Sequence, residues 1–138
     1  MMLLTPRGFL LWGGVVLVAL AVLGVTVLGW TVDHSTLGAN FWLDPTENIL
    51  HLLFGVVALA AYFFLKDANL QKWLVVVVFV IALAATVAGI VNGSQPADNT
   101  QIFNLASTNL ENPLDNVLHG FVTLWAAAVL YRSFFMKA

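Results

Sequence analysis

Asp44-Pro45-Thr46-Glu47-Asn48-Ile49-Leu50-His51 returns later in the chain as Asn112-Pro113-Leu114-Asp115-Asn116-Val117-Leu118-His119. Proline, asparagine, leucine and histidine match outright, and Thr46/Leu114 is the one dissimilar pair. Each copy reads as a helix start. A short polar residue (Asp44, Asn112) caps free backbone N–H groups, and proline follows at the first helical position, where its missing N–H costs nothing. An acid two residues on (Glu47, Asp115) completes a capping-box-like arrangement and suits the positive end of the helix dipole. An apolar run follows each copy, so the pair predicts two related helices, each with a histidine on its second turn.

Four apolar runs stand out along the chain: 9–30, 49–65, 73–91 and 117–135. The first and third are long enough to cross a bilayer, which takes about 20 apolar residues. The second and fourth reach that length once each helix is started at its proline. Composition agrees: 61% of the 138 residues are hydrophobic and 9% charged, against about 25% charged in soluble chains. Mean hydropathy is +0.94. The expected fold is all-α, a single polytopic membrane domain over 1–138 with four transmembrane helices. These form two tandem helix–loop–helix repeats, at about 8–66 and 72–132. The first run is read as a mature helix rather than a cleaved leader, being too long for a signal core and lacking a small-x-small site at its end.

Arg7, Lys66, Lys72, Arg132 and Lys137 are all the basic residues of the chain. All fall at one side of the four-helix layout, and the loops 31–44 and 92–112 contain none. The positive-inside rule predicts cytoplasmic termini and a cytoplasmic 66–72 link in a bacterial inner membrane. The two loops, and the histidines that follow them, then lie toward the outer face. Trp30, Trp42, Trp73 and Tyr131 sit near run ends, as interfacial anchors do. Small residues on every helix, including Gly13, Gly14, Gly55, Ala85 and Gly89, predict close helix packing in lipid. The apolar patches Phe41-Trp42 and 102–105 predict loops that fold back onto the bundle or a partner.

The stretch Leu37-Gly38-Ala39-Asn40-Phe41-Trp42, with Asn48-Ile49-Leu50-His51-Leu52-Leu53-Phe54-Gly55, resembles the bacterial four-helix membrane proteins grouped as the domain-of-unknown-function 4383 family. Asp115-Asn116-Val117-Leu118-His119-Gly120 is similar in the second half. The resemblance implies the same duplicated four-helix layout and no assigned chemistry. It is not strictly two-fold, because the His51-x-x-x-Gly55 spacing becomes His119-x-x-x-Thr123.

Glu47, Asn48 and His51 share one helix face, as do Asp115, Asn116 and His119. Polar residues at membrane depth face the bundle interior and are paired. The first expectation is therefore a structural one: the Asn and His side chains hydrogen-bond one another or loop backbone. The protein is then a non-enzymatic, small structural or accessory subunit that packs against other membrane proteins or itself within the lipid bilayer. The alternative is a cofactor-binding subunit. His51 and His119 would ligate a haem or a chlorophyll-type pigment, Glu47, Asp115, Asn48 and Asn116 would support them, and Gly55 would leave room for a macrocycle edge. A metal site from His34, His51 and His119, or an oligomeric pore, is weaker. With no cysteine, disulfides, thiolate metal sites and cysteine nucleophiles are excluded. No phosphate loop, catalytic triad order or His-Glu-x-x-His is present. Five basic residues gathered at one rim, with a net charge of −2, exclude a nucleic-acid partner.

Overall fold

In the computed structural model, residues 2–29, 35–37, 41–92 and 113–136 are described. Among them the regular structure is entirely helical. A 3-10 turn (Met2–Leu4) leads into α1, Pro6–Leu23, which continues as a π-helical turn, Gly24–Leu28. Then come α2, Pro45–Phe64, α3, Ala68–Asn92, and α4, Pro113–Phe135. Four helical segments of 20 to 24 residues are long and apolar enough to cross a membrane. Their outward faces are apolar too, with Phe64, Val91, Leu124 and Phe135 all exposed, as expected of surfaces whose solvent is hydrocarbon rather than water.

The helix starts follow local rules. Thr5 caps α1, its Oγ1 accepting from Gly8 N at 3.1 Å, with Pro6 as the first helical residue. Asp44 caps α2 in a complete capping box: Glu47 N donates to Asp44 Oδ1 at 2.8 Å, and Asp44 N to Glu47 Oε2 at 3.4 Å. For α4 the proline start is present, while the cap residue, Asn112, lies outside the described residues. Helix α3 begins earlier than its apolar run, because Asp67 Oδ1 accepts from Asn69 N at 2.7 Å and Leu70 N at 3.2 Å. Asp67 thereby satisfies N–H groups that a helix start leaves unpaired.

The helices pair as two hairpins, α1 on α2 and α3 on α4, with fewer contacts between hairpins. In the first hairpin the backbones touch at Gly14 and Gly55. A Cβ on Gly55 would lie 3.0 Å from Val18 N and 3.1 Å from Gly14 O. Gly55 therefore faces α1, which corrects the expectation that it leaves room for a macrocycle. Above it, a Cβ on Gly24 would collide with the Asn48 side chain, and at this glycine α1 changes to its π-helical turn. The second hairpin differs at the matching position. Thr123, buried in Gly55's place, donates to His119 O at 2.8 Å, and its hydroxyl lies 3.4 Å from that of Thr86 on α3.

Packing concentrates at the two ends of the bundle. Near the 65–67 link, Phe9 joins Val75, Ala126 and Val129, while Leu10 joins Ala58 and Ala61. At the opposite end, where α2 and α4 begin, Leu28, Phe41 and Leu43 form a third cluster against Leu20 and Leu118. Phe41 thus folds back on the bundle as expected. Trp42 does too, being only 2% exposed, so it is a buried residue and not an interfacial anchor. Thr36, whose hydroxyl donates to Val27 O at 3.0 Å, pins the same loop to the end of α1. Trp73 and Tyr131 are exposed on the bundle surface, as anchors should be. Trp30 and the 102–105 patch lie outside the described residues.

Candidate functional site

Between the packed ends lies a cavity of about 510 Å³, reached by side chains of all four helices. This is within the range of small-molecule and cofactor pockets, about 300–1,000 Å³. Its walls are apolar. Helix α1 contributes residues from Phe9 to Leu20, which at 1.5 Å per residue span about 16 Å. Helix α3 contributes Ala82, Ala84, Ala85 and Ala88. Ala85, expected from sequence to draw helices together, borders this space as well. Gly13 does the same, since a Cβ there would have its nearest neighbour, Phe9, 4.0 Å away. Trp125 and Phe9 close the cavity toward the link, their ring centroids 4.6 Å apart. Trp125 is itself held by its indole N–H, which donates to Leu3 O at 2.8 Å.

The polar lining of the cavity is Glu47, His51, Asp115 and His119, all from the first two turns of α2 and α4. The proline starts set α2 and α4 in the register that brings these turns level. The two imidazoles face one another with ring centroids 6.4 Å apart and planes 36° apart. His119 Nδ1 lies 3.1 Å from Asp115 Oδ2, one helical turn before it. That is the expected carboxylate-to-imidazole support, and it leaves the opposite edge of the His119 ring turned away from Asp115.

The first copy does not repeat the arrangement. Glu47 turns to its capping box, and the Nδ1 of His51 is buried without a hydrogen-bond partner. Glu47 is 4% exposed, and its carboxyl lies against that of Asp115. Asp115, 1% exposed, interacts electrostatically with both Glu47 and His51 as well as meeting His119, so it is the hub of the cluster. Burying such groups is costly unless each finds a partner or a ligand.

The asparagines lie outside the cavity lining. Asn48 Nδ2 donates to Leu43 O at 3.2 Å, which meets the expectation of a bond to loop backbone, while its Oδ1 is wedged against Gly24 without a hydrogen bond. Asn116 Oδ1 is likewise buried and unbonded. His34 lies outside the described residues. Among those described, no three His, Asp or Glu side chains are arranged to hold a metal ion. Thr46 and Leu114, the dissimilar pair of the duplicated stretch, occupy different settings: Thr46 is fully buried and Leu114 is 43% exposed.

The residues that sequence reasoning missed are the apolar walls. Their one signal was the clustering of alanines on α3 opposite Gly13 on α1, which suits a cavity as well as a contact. Compared with family models, curated proteins and solved structures, the chain matches none of them.

Proposed function

We propose that this chain is a non-enzymatic membrane subunit whose two hairpins hold an apolar ligand between them, with His51 and His119 at the ligand's polar end. The observation that carries the reading is the position of the facing imidazoles at one end of a long cavity with otherwise apolar walls. Their spacing adds support. The two ring centroids are 6.4 Å apart, so both side chains can reach one ligand. His51 and His119 would hold the metal of a haem or chlorophyll-type macrocycle, which would supply electron transfer or light absorption, while the apolar walls would take its hydrocarbon. Asp115 would orient His119 from behind.

The proposal includes insertion in a bacterial inner membrane with cytoplasmic termini, from the one-sided basic residues, and kinship with the four-helix family it resembles. The layout is also read as a tandem repeat, in which each hairpin supplies one histidine.

A second reading, a structural or accessory subunit that packs against membrane partners or itself, draws on a different observation. The His119–Asp115 contact and the Asn48–Leu43 bond satisfy part of the polar end within the chain itself.

The absorption spectrum of gently purified protein separates the two. A macrocycle held by the histidines gives a stoichiometric visible band. His51→Gln and His119→Gln each abolish it if both imidazoles ligate, because an amide is a poor substitute for imidazole nitrogen. Colourless protein with no extractable small molecule, and unaltered assembly in both variants, would leave the structural reading in its place.

A further inference from the structure

Resting on that ligand-holding reading, we infer that the cavity selects by charge, taking an uncharged amphiphile and rejecting one that carries carboxylates. Among the described residues, the only formally charged side chains in its lining are Glu47 and Asp115, and no lysine or arginine reaches it. The basic side chains whose contacts are described lie elsewhere: Arg7 stands over the Tyr62 ring at 4.9 Å, and Lys72 over Phe134 at 4.4 Å, both beside the link. At the polar end the Glu47 and Asp115 carboxyls lie against each other and present acceptor oxygens, which a ligand O–H or N–H meets and a ligand carboxylate does not.

Two helix N-termini lie at this end of the cavity and would by themselves attract an anion. Those positions are already taken: Asp44 and Glu47 close the capping box of α2, and Asp115 stands in the first turn of α4. A second anion in a site of low dielectric is repelled strongly. An unesterified haem, which carries two propionates, is thereby disfavoured. An esterified macrocycle, or a long-chain molecule with a hydroxyl head, fits the same walls and the same acceptors.

The test uses two matched pairs that differ only in charge: zinc protoporphyrin against its dimethyl ester, and oleate against oleyl alcohol. Each is titrated into the full chain in uncharged nanodiscs. The neutral member of at least one pair should bind about tenfold more tightly than its acid. The preference should collapse in Glu47→Gln/Asp115→Asn, which separates site selection from unequal partition into lipid. Glutamine still serves in a capping box, so Glu47→Gln alone provides a folded comparison, with a smaller fall in preference. Equal binding of acid and neutral forms, or a preference unchanged in both variants, would overturn charge selection while leaving a ligand-holding cavity. Binding by none of the four would overturn the ligand-holding reading and this inference together.

Discussion

Replacing Gly55 with alanine tests the architecture that leaves the cavity open, because the α1–α2 contact at Gly14 and Gly55 sets how closely the first hairpin closes. The new Cβ would sit 2.8 Å from Val18 Cγ2, 3.0 Å from Val18 N and 3.1 Å from Gly14 O. Carbon atoms rest at about 3.5–4.0 Å, and two of the three neighbours are backbone, so the helices must part by roughly half an ångström. Overpacking of this kind costs about 1–3 kcal/mol. Alanine returns about 0.5–1 kcal/mol through its better helix propensity, leaving a net loss centred on about 1.3 kcal/mol. Gly14→Ala meets Leu59 Cγ at 2.8 Å and Gly55 O at 3.0 Å and should lose a similar amount. The two together should lose less than the sum, since the first substitution already separates the helices. Gly13 and Gly120 provide the contrast, the nearest atom to an added Cβ being 4.0 Å and 3.9 Å away. There alanine should be neutral or stabilising. Reversible unfolding in mixed micelles with rising dodecyl sulfate measures all of these. Gly55→Ala as stable as the parent, or no different from Gly13→Ala, would refute the close contact.

Asn48→Leu removes the donor to Leu43 O and places a branched chain against Gly24, so it should loosen the end where α2 begins by about 0.5–2 kcal/mol; unchanged unfolding would argue against the inward packing of Asn48. Cysteines introduced at Ser35 and Ser94 should react with an impermeant outside reagent, while one at Asp67 should not; labelling at Asp67 alone would reverse the topology drawn from the basic residues.

Most of the helical frame was legible because it follows local rules. Asp44, Pro45 and Glu47 announce α2, and Pro113 and Asp115 announce α4. The apolar runs supply the spans, since a backbone in lipid must satisfy its own hydrogen bonds. The level placement of His51 and His119 follows from the matched proline starts. What stayed hidden depends on how one helix meets another. A small residue reads alike whether it touches a neighbouring backbone, as Gly55 does, or borders empty space, as Gly13 and Ala85 do. Trp42 near a run end reads as an anchor until the loop is seen to fold over it. The duplicated motif suggested equal roles for Glu47 and Asp115. Glu47 is turned aside by its capping box, which leaves Asp115 to meet both copies.

If the cavity between the hairpins holds a small molecule, native mass spectrometry of the protein released from its own membrane detects it. The parent chain should carry one apolar, uncharged adduct in stoichiometric amount. Ala85→Leu/Ala88→Leu, which fills the α3 wall while leaving Glu47, His51, Asp115 and His119 untouched, should fly bare while unfolding as cooperatively as the parent. A parent chain with no adduct, or an adduct retained by the filled variant, would contradict a ligand-holding cavity.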